Sequence, residues 1–240
     1  MVKGMSGGTL RVALQRTLPV LAGYLALGTA FGLLLNSIGL GVFWAAAMSI
    51  LVYAGSAQFL AVSLIAEGTS LPQVALLTFL LNFRHFFYGL SMVGRYQGLG
   101  RRKGYLIFAL TDETYALLAA GLPPARVDPA DYYFAVSLLD HCYWVAGSVL
   151  GATVGELITF DTTGVDFAMT ALFVVLAVEQ WKQAKGKGHA PALCGVCCGV
   201  VCLLVFGPDL FLIPALGAIV AAMLLLRRHL ERDSGEGAAV

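Results

Sequence analysis

The sequence has few charged residues for its length. Lys, Arg, Asp and Glu together make up 12% of the 240 residues, whereas 59% are hydrophobic. A soluble globular domain carries about 25% charged residues, so this chain lacks the charge that covers a water-facing surface. The composition therefore excludes an ordinary soluble protein and predicts an integral membrane protein.

A net charge of either sign is almost absent. The formal value is +1 at pH 7, which gives no field that would gather nucleic acid or an acidic partner. The sequence also lacks a Walker A loop, a GxSxG elbow, an HExxH motif and a GxGxxG motif in a strand–helix setting. We therefore expect no nucleic-acid partner, no cofactor, no catalytic residue and no enzyme activity.

Long hydrophobic runs, in contrast, fill most of the chain. A bilayer core needs about 20 apolar residues per helix, and runs such as 75–81 do not alternate in polarity as a membrane β-strand would. We predict an all-α, polytopic helical membrane protein with about seven or eight transmembrane segments. Residues 1–240 are expected to form a single transmembrane domain with a polar tail at 227–240. The segments predicted from hydropathy are 18–35, 41–66, 72–94, 104–121, 132–155, 164–180, 190–206 and 210–226.

The basic clusters do not agree with a simple even count of crossings. Three segments precede the cluster at 95–103, and three more separate it from the cluster at 182–187. If both clusters are cytoplasmic, one segment in each half fails to cross fully, as a broken helix would; otherwise one cluster lies outside. An inverted repeat of three plus three segments gives the same odd count. Gly-Tyr-Leu recurs at 23–25 and 104–106, as such a repeat would predict.

Polar residues interrupt the second segment near its middle, at residues 53–58. Gly and small residues allow a helix to break there, and a break leaves free N–H groups that can hold a carboxylate. We predict that Gly55 and Ser56 bind substrate in this way and that Gln58 adds a neutral hydrogen bond. The alternative is close helix packing, with Gln58 bonded to a neighbouring helix.

A second polar group, Asn82, Arg84 and His85, lies inside the third segment. Arg84 is too far from the end of the segment to reach the interface easily. Its guanidinium can clamp a carboxylate with two bonds, and a histidine can exchange protons near neutral pH. Asn82 and Arg84 are therefore predicted to bind substrate and His85 to take part in proton coupling. Alternatively, Arg84 pairs with an acid only to hold helices together.

Two adjacent acids, Asp112 and Glu113, lie within the fourth segment. Neighbouring side chains on a helix point about 100° apart, so the two carboxylates serve different tasks. We predict that one faces Arg84 and the other a water-filled path, with Asp112 in substrate binding and both acids in proton coupling. If the helix instead begins near Leu110, both acids lie in its first turn, where the helix dipole favours them.

Asp140 and His141 are neighbours inside the fifth segment. An acid and a histidine in an apolar run suggest a proton relay, so both are predicted to be proton-coupling residues; a local pair bonded to Tyr or Ser is the alternative. Gly147, Gly151 and Gly155 repeat every four residues on the same segment. This stripe predicts a close contact with another helix.

Four of the five cysteines lie on one face of the seventh segment, at Cys194, Cys197, Cys198 and Cys202. Thiolates can bind copper or zinc, but no His or acid is interleaved and the set lies on a single element. Packing is the favoured interpretation, so no metal is expected. A soft-metal transporter built on this face is the least favoured alternative.

Three motifs together resemble the AzlC family, the large subunit of bacterial branched-chain amino-acid exporters. They are Tyr-Ala-Gly-Ser-Ala-Gln-Phe at 53–59, Asn-Phe-Arg-His at 82–85 and Leu-Thr-Asp-Glu-Thr at 110–114. The resemblance covers residues 15–160 and rests on the order and spacing of the motifs. From residue 165 onward no motif matches.

This resemblance implies a multi-pass protein of the bacterial inner membrane that exports Leu, Ile, Val and, as a further candidate, Met. It also implies a small AzlD-type membrane partner, and proton-driven antiport is the expected energy source. A zwitterionic amino acid needs a cationic or N–H-rich place for its carboxylate and an acidic place for its ammonium group. Arg84 or the break near Gly55 offers the first, and Asp112 or Glu113 the second. The alternative is a passive channel in which Arg84 filters anions.

Overall fold

A computed structural model of the chain describes residues 7–119, 127–157 and 189–211, together with a few positions between and after these ranges. The further positions are 121, 123, 174, 178, 181, 214–215, 217–222 and 225. Most of the predicted segments 164–180 and 210–226, and the tail at 227–240, lie outside the described residues. Every regular element within them is a helix, which confirms the all-α class.

The chain divides into two compact units, Met1–Ala168 and Met169–Val240. Within the described residues, three helices, Gly7–Ser37, Leu71–Met92 and Pro129–Leu157, are long and apolar enough to cross a membrane. The membrane class is therefore confirmed, while the number of segments and the inverted repeat stay predictions. The helices of the first unit are α1 (Gly7–Ser37), α2 (Val42–Leu51), α3 (Gly55–Ala66), α4 (Leu71–Met92), α5 (Arg102–Phe108), α6 (Asp112–Ala119) and α7 (Pro129–Leu157); the second contains α8 (Ala190–Leu210).

Helix α1 begins well before the predicted start at residue 18. Ala13 and Thr17 are fully buried, and Ala13 belongs to a core cluster that also contains Met92 and Leu106. Because this face packs in the core, the helix continues on the N-terminal side of residue 18 and includes the basic residues Arg11 and Arg16. The predicted boundary was wrong because hydropathy does not register tertiary contacts.

Helices α1 and α7 pack with their backbones in close contact. A Cβ atom on Gly151 would collide with the backbone of Thr29, and one on Gly147 would lie 2.6 Å from the Tyr24 carbonyl oxygen. Gly155 faces the side chain of Asn36. The predicted close contact along the glycine stripe is confirmed, and it brings the Tyr24 ring within 5.3 Å of Trp144.

The segment 41–66 is broken, as predicted. Helix α2 ends at Leu51 and α3 begins at Gly55. Between them Tyr53 has a φ of 42°, a left-handed conformation that is rare for a residue with a bulky side chain. The Trp144 ring would lie 3.2 Å from a Cβ on Gly55, so a glycine leaves room for that ring at the start of α3.

The segment 104–121 is also broken, so the prediction of a continuous helix was wrong. Helix α5 ends at Phe108 and α6 begins at Asp112. The Thr111 hydroxyl accepts a hydrogen bond from the Thr114 N–H at 3.4 Å, which is the geometry of an N-terminal cap. Asp112 and Glu113 lie in the first turn, as the alternative had it, where the helix dipole stabilises them.

Helix α8 corresponds to the predicted segment 190–206. Gly207 has a φ of 74° and a ψ of 173°, which interrupts the helix where the predicted segment ends. The cysteines of this helix are not joined by disulfides.

Candidate functional site

The two breaks are joined by one side chain, Arg84 of α4. Its terminal nitrogen donates to the Ser56 hydroxyl at 2.9 Å and to the Asp112 carboxylate at 2.9 Å. Ser56 lies in the first turn of α3, and Asp112 in the first turn of α6. Arg84 therefore connects the N-terminal ends of two half-helices. The predicted contact of Arg84 with an acid is present, and the acid is Asp112.

The ion pair between Arg84 and Asp112 is partly accessible. The two side chains are 30% and 34% exposed. A charged pair in the plane of a bilayer must face water or protein, because hydrocarbon cannot solvate it. The pair is thus not sealed inside the first unit, although it is partly covered by protein groups.

The two half-helix starts differ in charge. No side chain in the described ranges caps α3, so the N–H groups of its first turn, including that of Ser56, keep their partial positive charge. The first turn of α6 instead contains Asp112 and Glu113. Arg84 lies between them, and the arrangement offers a cationic and an anionic place side by side. Such a site can hold a small molecule that carries both charges.

Glu113 is bonded to α1 and not to Arg84. Its carboxylate accepts a hydrogen bond from the Tyr24 hydroxyl at 2.7 Å, and the same hydroxyl lies 2.7 Å from that of Thr111. Thr111 and Thr114 are 3.1 Å apart, and Thr114 lies 2.8 Å from an oxygen of Asp140. Two predicted proton-coupling acids are therefore linked by three hydroxyl groups.

Sequence reasoning missed these three hydroxyls. Tyr24 lies in a tripeptide that recurs and the two threonines lie in the 110–114 motif, but none of the three was predicted to be a site residue. A tyrosine or threonine is tolerated in an apolar segment without any partner that the sequence would reveal. Their position between two acids could have been found only from the contact of α1 with α7 and α6.

Asp140 and His141 have different partners. Asp140 is fully buried and contacts Thr114. The His141 ring donates from Nε2 to the Ser49 carbonyl at 3.1 Å and accepts at Nδ1 from the Tyr105 hydroxyl at 3.1 Å. The two residues thus form no direct relay with each other, and His141 follows the alternative of a histidine bonded to Tyr. It ties the last turn of α2 to α5.

Gln58 is fully buried and bonded at both ends. Its carbonyl accepts from the Trp144 indole at 2.9 Å, and its amide donates to the Ser49 hydroxyl at 3.3 Å. Gln58 therefore follows the packing alternative, because both ends of its amide are bonded to protein groups. Gln58 fixes α3 against α7 and α2, and so positions Gly55 and Ser56.

Asn82 and His85 lie beside Arg84 on α4 and are half-buried. The His85 ring donates from Nδ1 to the Asn82 carbonyl at 3.2 Å, a bond within one helical turn. Its ring also packs edge to face with Tyr88, at 5.7 Å between ring centres. Both residues are close to the ion pair in sequence, and the His85 ring is held by contacts within α4.

The cysteine face of α8 shows no metal-binding arrangement in the part of the chain that the structure describes. No group of three or more His, Cys, Asp or Glu side chains there could hold a metal ion. Cys202 is buried and Cys197 is exposed, so the four thiols have unequal environments.

The fold and site define an all-α integral membrane protein with two discontinuous helices that meet at a charged pair. The family model described as AzlC protein matches residues 19–158, more than half of the chain. The chain belongs to the AzlC family.

Relatives extend this similarity to nearly the whole chain. "Branched-chain amino acid transport protein AzlC" of Bacillus subtilis (strain 168) is 40% identical over 222 residues, which are 92% of this chain and 87% of that protein. An "Uncharacterized membrane protein" of Helicobacter pylori (strain ATCC 700392 / 26695) is 42% identical over 91% of this chain and 95% of its own length. "Inner membrane protein YgaZ" of Escherichia coli (strain K12) is 29% identical over 77% of this chain and 78% of its own length. No solved structure matches the chain.

Proposed function

We propose that this protein is the large subunit of a secondary transporter that exports branched-chain and other hydrophobic amino acids across the inner membrane. The observation that carries the proposal is the contact of Arg84 with the first turns of two half-helices. Discontinuous helices whose ends meet near mid-membrane bind substrates in many secondary transporters. The name of the Bacillus subtilis relative supports the substrate class, and the name of the Escherichia coli relative supports the inner membrane.

The substrate is bound by exchange of ion pairs. The substrate carboxylate binds to Arg84 and to the first-turn N–H groups of α3 at Gly55 and Ser56. The substrate ammonium group binds to Asp112. The Arg84–Asp112 ion pair therefore breaks, and two new ion pairs form, one between Arg84 and the carboxylate and one between Asp112 and the ammonium group. The Trp144 ring, buried beside Gly55, supports the start of α3 from behind and so helps to position these N–H groups.

Proton coupling arises from the acids of α6. Protonation of Asp112 or Glu113 weakens the hold on the substrate ammonium, so a proton that enters from outside favours release of the amino acid to that side. Asp140 lies within reach of this pair through Thr114. In this scheme His85 and His141 support the site by position.

A small AzlD-type membrane subunit completes the transporter. The outer face of α4 supports this proposal because it is apolar and aromatic, with Phe79, Phe86 and Leu90 each more than 60% exposed. Co-expression of the two chains followed by purification in detergent tests the pairing. The proposal expects a stable complex and amino-acid flux only when both chains are present; full flux from this chain alone would contradict it.

Leucine flux in proteoliposomes tests the transport function. With both subunits present, an imposed pH gradient is expected to accelerate a saturable flux of leucine, whereas lysine should not be carried. Flux that ignores the gradient would refute proton coupling. A conductive flux that does not saturate would indicate a channel instead of a carrier.

A further inference from the structure

Five side chains form one continuous line of oxygen–oxygen contacts, which we call the hydroxyl chain. Its ends are the carboxyl groups of Glu113 and Asp140, and Tyr24, Thr111 and Thr114 lie between them. The four contacts in order measure 2.7, 2.7, 3.1 and 2.8 Å. Tyr24 is 4% exposed, Thr111 7%, and Thr114 and Asp140 0%. The line therefore runs through the protein interior, and only Glu113 is half-buried.

Counting hydrogen atoms along the hydroxyl chain shows a deficit. Each hydroxyl carries one hydrogen and an ionised carboxylate carries none, so three hydroxyls supply three hydrogens for four contacts. If both acids are ionised, Tyr24 donates to Glu113 and Thr114 donates to Asp140. The one hydrogen of Thr111 can then fill only one of the two remaining contacts.

The unfilled contact would bring two oxygen lone pairs together in the interior. If Thr111 donates to Thr114, the gap is the 2.7 Å contact between Tyr24 and Thr111, which is the usual length of an O–H···O bond; if Thr111 donates to Tyr24, the gap is the 3.1 Å contact between Thr111 and Thr114. The backbone N–H of Thr114 also donates to Thr111 Oγ1, but it bridges no pair of side-chain oxygens. One additional hydrogen completes all four bonds.

We propose that Glu113 and Asp140 share a single proton and that the hydroxyl chain conducts it between them. With the proton on Asp140, that acid donates to Thr114 and each hydroxyl donates towards Glu113. With the proton on Glu113, every donor in the chain reverses. In the transfer the O–H bond of one carboxyl breaks, each hydroxyl passes on one hydrogen while receiving another, and an O–H bond forms on the other carboxyl, so no atom is gained or lost.

The transfer moves one negative charge between α6 and α7. When Glu113 holds the proton, the charge beside Asp112 and Arg84 is removed; when Asp140 holds it, that charge returns. The step therefore regulates how strongly the proposed site attracts an ammonium group, and in this consequence it rests on the proposed function. Asp112 is already balanced by Arg84. Among the described residues, the titratable and charged groups that interact electrostatically with the two ends are Arg84, Asp112 and Tyr53 at Glu113, and Tyr53, Tyr105 and Tyr132 at Asp140.

Infrared spectroscopy of the purified full-length protein tests the shared proton without any transport assay. A protonated carboxyl group has a distinct C=O stretching band. An amide at either end can supply the fourth hydrogen itself, so Asp140→Asn and Glu113→Gln are each expected to abolish the whole band, whereas Asp112→Asn should leave it. If the wild-type band is absent, or survives either of the first two substitutions, the proposal is overturned.

Thr114 tests conduction. Thr114→Val keeps the shape but removes the hydroxyl, whereas Thr114→Ser keeps the hydroxyl. We expect the valine variant to lose about 100-fold of pH-gradient-driven leucine flux, the lower end for loss of a positioned proton transfer. Exchange of leucine for leucine without a gradient should persist, and the serine variant should retain coupled flux. Coupled flux in the valine variant would refute conduction. If the wild type carries no amino acid, the proposed function fails while the infrared result still decides the shared proton.

Discussion

The two helix breaks are built from different chemistry. The break between α2 and α3 contains a strained residue, Tyr53, and α3 starts without a side-chain cap among the described residues. The break between α5 and α6 is capped by the Thr111 hydroxyl and is followed by two acids. The first break therefore presents positive N–H groups, and the second is satisfied by its own side chains.

The two breaks also differ in what stabilises them. A non-glycine residue in the left-handed region costs about 1–3 kcal/mol and persists only when its surroundings hold it. The Tyr53 ring is held by stacking on His141, at 4.1 Å between ring centres. The cap on α6 instead stabilises that helix by about 1 kcal/mol. The first break is therefore held by tertiary contacts, whereas the second is held by its own cap.

Removal of the link between the breaks should have the largest effect. Arg84→Ala leaves Asp112 without its partner and takes the cation from the proposed site. Truncation of one member of a buried pair costs about 2–5 kcal/mol, and because this pair is one-third exposed we expect about 2 kcal/mol, or ~30-fold in KM for leucine. Arg84→Lys keeps the charge but loses the planar fork, so it should recover the KM only in part. Equal KM values in wild type and the alanine variant would show that Arg84 does not bind substrate.

Loss of the hydrogen bonds that His141 makes beside the first break should have the second largest effect. His141→Phe keeps the stack with Tyr53 but leaves the Ser49 carbonyl and the Tyr105 hydroxyl without their partner. Such buried groups cost about 1–3 kcal/mol when a partner is removed, and each kcal/mol lowers Tm by about 2–4 °C in a chain of this size. Thermal unfolding in detergent measures the loss. His141→Gln, which can still donate to the carbonyl, is the control and should unfold at a higher temperature than the phenylalanine variant.

Loss of the cap at the second break should have a smaller effect. Thr111→Val removes the hydroxyl that accepts from the Thr114 N–H, and we expect a loss of about 1 kcal/mol in stability. Thr111→Ser retains the cap and should match the wild type in the same unfolding measurement. An equally stable valine variant would mean that Thr111 does not determine where α6 begins.

The strain at Tyr53 predicts the smallest difference. Asn tolerates a positive φ and Val does not, so Tyr53→Val should be less stable than Tyr53→Asn by about 1 kcal/mol. Both variants lose the aromatic ring, and their difference therefore isolates the backbone. Identical Tm values for the two would indicate that the first break is not strained.

The first break was predicted from sequence, whereas the second appeared only as the alternative in which a helix begins near Leu110. Gly55 and its small neighbours mark the first break directly, in a segment longer than a span needs. Residues 109–111 contain neither Gly nor Pro, and hydropathy stays high across them, so nothing but the Thr111 cap marks that break. A cap of this kind is recognised from sequence only once the helix start is already suspected.

The charged part of the site was also predictable, and its polar supports were not. Arg84 and Asp112 stand out because ionisable residues are rare in apolar segments, and opposite charges there must find each other. Gln58 and His141 were expected at the substrate and in a relay, but both are bonded to protein groups distant in sequence. Those pairings depend on the close approach of α7 to α1 and α2, which no local pattern contains.

A structure of the two-subunit complex with leucine bound tests the central claim most directly. The account predicts the leucine carboxylate within about 3 Å of the Ser56 N–H and the Arg84 guanidinium, and the ammonium group at the same distance from Asp112. The Arg84–Asp112 contact should be open in that complex. Leucine bound elsewhere, with Arg84 still joined to Ser56 and Asp112, would contradict the account.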